Sequence, residues 1–110
     1  MTKFLGLIRL SGAEATRMLQ DGPLARREFI ELIVREGGGT VEELWLTNVG
    51  DWDLVCVVDM ATGTAATGAA ATLARRAAGL TGNERWIELA EVSDVADAVQ
   101  HMSGTGISSA

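Results

Sequence analysis

Arg9, Asp53 and His101 are the residues of this chain best suited to handle a proton or a negative charge. Arg9 stands among apolar residues in "KFLGLIRL" and carries a planar fork of donors that can bind a carboxylate or an enolate oxygen bidentately. It fits an ordinary ion pair at a strand end equally well. Asp53, in "VGDWDLVCVVDM", acts as a general base if burial raises its pKa, and as an acceptor for turn amides if it does not. His101 is the one imidazole, the commonest general base and a usual haem ligand, but nothing around it leads to a pocket, so it also reads as a surface histidine. These three are the candidate catalytic residues.

A second set suits the recognition of a flat organic ligand. Trp45 and Thr47 point to one face of a strand, Trp86 and Glu88 share a face of another, and Trp52 sits at the corner between two strands. An aromatic ring with a polar group beside it matches the usual lining of a small-molecule site, and plain packing is the competing role for each tryptophan. Cys56 lies in the middle of an apolar run without a basic neighbour, which describes an inert core thiol. One Cys and one His exclude an internal disulfide and a cysteine-based zinc cluster, so no metal and no cofactor is expected. The stretch "EGGGT" follows a helix and has no lysine, unlike a phosphate loop, and no serine stands in a nucleophile elbow.

Composition narrows the class further. A chain of 110 residues makes one domain, here spanning 1–102, with one hydrophobic core. The hydrophobic fraction of 47% is that of a soluble protein, and no apolar run reaches the ~20 residues of a membrane helix. The opening "MTKFLGLIRL" is interrupted by Arg9 and is not followed by a small-residue cleavage site, so a cytoplasmic location is expected. The net charge is −6, and Arg26, Arg27, Arg75 and Arg76 form two separate pairs rather than a basic face. With three Trp, two Phe and no Tyr, neither counterion release nor base stacking has a platform, and nucleic acid is not an expected partner.

The elements that must position these residues follow from periodicity. "KFLGLIRL" is a strand that is apolar on both alternating faces. "SGAEATRMLQDGP" reads as a short helical turn, and a main helix then runs from Pro23 to about Glu36 with Phe29, Ile30, Ile33 and Val34 inward and Arg26, Arg27, Glu31 and Arg35 toward water. Gly37, Gly38 and Gly39 end it and return the chain into "TVEELWLTNV". "DLVCVVDM" pairs with that strand through a tight hairpin at Gly50, Asp51 and Trp52. "TAATGAAATLARRAA" is an Ala-rich helix with Arg75 and Arg76 outside and small side chains that bring it close to what it covers. "NERWIELA" is a fourth strand, Ser93 caps a last helix, and 103–110 form a small, polar tail expected to be disordered.

This order is the split βαβ pattern: an α+β, ferredoxin-like βαββαβ fold with an extra C-terminal helix, a four-stranded antiparallel sheet and both main helices on one face. The other face cannot be a water face. Leu5 and Leu7 oppose Phe4, Ile8 and Leu10, and Val55 and Val57 oppose Leu54, Cys56 and Val58, where a sheet wetted on one side would alternate apolar with polar. A second copy of the same sheet is the simplest cover, so a homodimer through the sheet faces is expected, alone or within a higher oligomer.

The stretch "LARREFIELIVREGGGTVEELWLTNVGDWDLVCVVDM" resembles the GYD-domain family of small bacterial and archaeal proteins. In that family an Arg-containing helix leads through a Gly-Gly return to a strand, a Gly-x-Tyr-Asp corner and a valine run ending in an acid. Here the corner is Gly50-Asp51-Trp52-Asp53, with Trp in the place of Tyr, and the likeness extends over roughly 3–100. The resemblance implies a dimeric α/β barrel in which small ligands sit between sheet and helices or at the sheet's edge. Related barrels include cofactor-free monooxygenases, polyketide cyclases, isomerases, dehydratases, haem-degrading enzymes and ligand-sensing domains. The expectation is a cofactor-independent enzyme of the cyclase or isomerase type acting on a small organic molecule, with Arg9, Trp45 and Asp53 near it. The alternative is a non-catalytic ligand-binding or regulatory module, and the simplest case is a structural homodimer without a pocket.

Overall fold

The computed structural model describes residues 2–60 and 65–104. Within them the order is β1 (Thr2–Leu10), α1 (Gly12–Asp21), α2 (Pro23–Glu36), β2 (Gly39–Leu46), β3 (Leu54–Met60), α3 (Ala65–Ala77), β4 (Thr81–Leu89) and α4 (Val92–Gly104). The strands form one antiparallel sheet in the order β2-β3-β1-β4, which makes this a ferredoxin-like α+β fold.

Because side chains alternate along a strand, the register sorts the sheet into two faces. Phe4 pairs with Val58, Gly6 with Cys56 and Ile8 with Leu54, and these residues look toward α2, whose Ile30 and Val34 pack on the buried cluster of Ile8, Leu54, Cys56 and Val58. Leu5 pairs with Val57 and Ile87, and Leu7 with Val55 and Arg85, on the opposite face, which none of the described helices covers. Gly6 has a packing reason. A Cβ there would stand 2.5 Å from Cζ3 of Trp86 and 2.8 Å from Sγ of Cys56, so only glycine lets the indole of β4 lie across the neighbouring strand.

The segment expected to be a short turn is a full helix. The Ser11 hydroxyl caps α1 by accepting from the Glu14 amide at 2.9 Å, and donates to the Gly79 carbonyl beyond α3, tying the two helical regions together. α2 begins at Pro23 and ends at Glu36, as its pattern predicts, and Gly38 takes the left-handed conformation (φ +87°) on the way into β2.

The β2–β3 connection is wider than a tight hairpin. Residues 47–53 form it, closed by the Thr47 amide donating to the Asp53 carbonyl at 2.9 Å. Asp53 then ties this loop to the end of β1: its amide donates to the Ile8 carbonyl at 2.9 Å and its Oδ2 accepts from the Leu10 amide at 2.9 Å. The carboxylate serves a backbone amide, but that of Leu10 in β1 rather than one of the turn.

α4 stands apart. Residues 92–102 are all exposed, none of the other described elements packs along it, and the chain extends 58 Å with a radius of gyration of 17.2 Å, against about 13 Å for a compact domain of this length. Ser93 lies inside its first turn rather than before it, and the helix continues to Gly104, past the predicted start of the tail. Residues 105–110 lie outside the described residues. No helix among the described residues is long and apolar enough to cross a membrane.

Candidate functional site

Between the covered face of the sheet and helices α2 and α3 lies a cavity of about 550 Å³. It exists because of what α3 is made of. The Ala-rich pattern predicts a helix drawn close to the sheet, but alanine side chains are too short to bridge to the strands, and Leu73 points away from them with 66% exposure. α3 is held instead at β4 through polar groups, and the space its small residues leave open is lined by Phe4, Ile30, Val34, Val58, Met60 and Trp86. A second opening of about 460 Å³ lies between α2 and α3 and shares Phe29, Ile33, Arg75 and Leu80 with the first.

The polar groups around these spaces fall into two clusters that periodicity does not reveal. Glu84 of β4 has 1% of its side chain exposed and accepts from Arg75 Nε at 2.9 Å, Arg75 Nη2 at 2.6 Å, Thr81 Oγ1 at 2.8 Å and Trp86 Nε1 at 2.8 Å. Burial pushes its carboxyl up, but the donors from Arg75, Trp86 and Thr81 more than offset this and hold it below the ordinary range. Arg75 also donates to Thr72 at 3.2 Å, and its guanidinium carbon stands 5.5 Å from the centre of the Trp86 ring.

The other cluster centres on Glu14 of α1, 2% exposed. It accepts from Nε of Arg26 at 2.8 Å, from Nη2 of Arg26 in a close ion pair, and from Arg17 Nη1 at 3.3 Å. The Glu14 hydrogen bonds raise the Arg26 pKa above its ordinary value, so this guanidinium stays charged. Arg26 lies over Phe29 at 4.2 Å with only 12% of its side chain exposed, so the predicted water-facing position is overturned. Arg75, likewise predicted to lie outside, is a cavity wall. In both cases a buried glutamate from another element draws the arginine in.

The predicted site residues separate. Trp86 and Glu88 share the covered face and line the cavity. Trp45, paired with Val55, and Arg9, paired with Asn83, lie on the opposite face, Trp45 with 64% exposure. Thr47 follows β2, its hydroxyl accepting from the Val49 amide at 3.3 Å, and Trp52 is half-buried in the same loop. Asp53 holds the end of β1, and His101 is exposed on α4. Arg9 and Trp45 therefore lie outside the cavity, and His101, on α4, stands apart from the sheet that carries Arg9.

Cys56, on the cavity floor, is buried, and that burial pushes its thiol up to about 11, so it is protonated and a poor nucleophile near neutrality. Among the described residues no three of His, Cys, Asp and Glu come together in a way that could hold a metal ion. The arginines, Glu14 and Glu84 were missed from sequence; the one visible signal was the Glu84-Trp86-Glu88 alternation, which places two acids on a face otherwise apolar. No family model matches the chain, and no match is found among curated proteins or solved structures.

Proposed function

We propose that this chain is a small-ligand-binding module of GYD type that holds an apolar organic molecule in the cavity between sheet and helices and acts as a homodimer. The observation that carries the reading is a cavity of about 550 Å³, within the usual range for small-molecule sites, lined mainly by aliphatic and aromatic side chains. Binding is better supported than catalysis. Glu14 and Glu84 are occupied by arginines and the thiol of Cys56 is protonated, so neither the buried carboxylates nor the thiol offers a base or a nucleophile, and Glu88 stands in the lining without a second catalytic group beside it.

The homodimer is supported by the uncovered face, where Leu5, Leu7, Val55, Val57, Ile87 and Trp45 form an apolar surface. Four strands ~4.8 Å apart and a paired length of ~24 Å make this face roughly 450 Å² per copy. That is short of the ~800 Å² per partner of a stable interface. α4 supplies the difference in this reading, since Val92, Val95 and Val99 recur at spacings of three and four residues and are exposed by 84%, 48% and 50%.

Native mass spectrometry of protein purified gently from its own host, set against denaturing spectra of the same sample, tests both parts. The expected result is a dimer carrying a small molecule that is lost on denaturation. A monomer that stays empty after incubation with apolar compounds would remove the reading.

A further inference from the structure

We infer that the ligand of this cavity is an anion with an apolar body, a carboxylate-headed molecule whose head is held by the arginines between α2 and α3. The inference rests on the proposed binding role of the cavity and adds the chemistry of its ligand. Arg17, Arg26 and Arg75 come from three different helices, and all three line the opening that adjoins the cavity across Phe29, Ile33 and Leu80.

Each guanidinium carries five N–H donors, and the internal ion pairs leave several unused. Arg26 engages Nε and Nη2, Arg75 engages Nε and Nη2, and Arg17 engages only Nη1. The Nη1 groups of Arg26 and Arg75, and Nε and Nη2 of Arg17, have no acceptor among the described residues. Three positive charges face two buried carboxylates, Glu14 and Glu84, and Asp21 acts on Arg26 only at a distance. The opening thus carries an excess of positive charge in a chain whose net charge is −6.

The far end of the cavity has the opposite character. Glu88 lies there, on the covered face of β4, four residues or about 13 Å from Glu84, which is bound to Arg75 at the arginine end. Between them the walls are Phe4, Val58, Met60 and Trp86. An anionic head is attracted at the arginine end and repelled at the Glu88 end, so the molecule enters with one orientation, tail toward Met60. Guanidinium forks match a carboxylate bidentately, and the partial burial of Arg26 and Arg75 limits screening by salt.

The test uses the whole unmodified protein titrated with decanoate and, separately, with decan-1-ol, followed by tryptophan fluorescence because Trp86 lines the cavity. The two probes share a tail length and differ in the charge of the head. Decanoate is expected to bind at least about tenfold more tightly, as charge-assisted hydrogen bonds imply. Arg17→Gln, at a side chain 40% exposed whose single 3.3 Å contact with Glu14 leaves the Arg26–Glu14 and Arg75–Glu84 pairs in place, is expected to weaken decanoate about threefold to tenfold and leave decan-1-ol unchanged. Equal affinities for the two probes would overturn the carboxylate inference while leaving the apolar cavity as a binding site. Binding of neither would overturn both.

Discussion

Replacing Glu84 by Gln tests whether one buried carboxylate holds α3 to the sheet. Glu84 is 1% exposed and accepts four hydrogen bonds, two of them from Arg75, and these are the main attachment of α3. The amide keeps the shape but removes the charge and turns one acceptor into a donor facing Arg75 Nε or Thr81. Breaking a buried pair by removing one partner costs ~3–5 kcal/mol. Arg75 keeps 25% exposure and can partly rehydrate, which puts the expected loss at about 2–3 kcal/mol. Against a total of roughly 5–15 kcal/mol for a domain of this size, that is a large fraction.

Urea unfolding followed by fluorescence measures the loss, and hydrogen exchange locates it, with α3 amides expected to lose protection before those of β1 and β3. The pH dependence supplies a second readout. Because the folded Glu84 carboxyl sits below its ordinary 4.5, its stabilisation is present above that value and is lost as pH falls through the folded pKa. Glu84→Gln is expected to flatten this acid limb. A loss under about 0.5 kcal/mol with an unchanged acid limb would refute the reasoning.

Three further outcomes are expected. Gly6→Ala forces a methyl against Trp86 and Cys56 and costs about 1–3 kcal/mol by overpacking, read as a shift in the urea midpoint with the slope unchanged. Cys56 is expected to resist thiol reagents in the native state near neutrality. Stability is also expected to decline as pH rises from 9.0 toward about 11, because the unfolded thiol ionises before the buried one, by up to ~2.7 kcal/mol in all; Cys56→Ala removes that decline between about pH 8 and 10, below the range in which the Lys3 pairs titrate. Leu7→Asp puts a charge at the centre of the uncovered face without touching the buried cluster, so light scattering at about 10 μM is expected to give a folded monomer for the variant and the proposed dimer for the unmodified chain.

Much of the fold was legible because it is written in local periodicity. The limits of α2 and the two faces of β1 and β3 follow from which residues alternate and where Pro23 and Gly38 stand, and the ferredoxin-like sheet follows from the order of the elements. The site was less legible because its polar parts meet across the fold. Arg26 reads as solvated on a helical wheel, since its partner Glu14 lies in a different helix, and Arg75 reads so because Glu84 is on β4. The two arginine pairs that look scattered along the chain contribute Arg26 and Arg75 to one opening. Conversely, Arg9 and Trp45 look like ligand contacts because they are polar or aromatic residues in apolar strands, but strand parity sends them to the face away from the cavity.

Placement of the ligand is tested most directly by methyl NMR of the protein titrated with decanoate. The expected shifts are confined to methyl groups that line the cavity, those of Ile8, Ile30, Ile33, Val34 and Val58, while Leu5, Leu7, Val55 and Val57 on the other face stay in place. Shifts confined to Leu5, Leu7, Val55 and Val57, or none at saturating decanoate, would contradict a ligand site between sheet and helices.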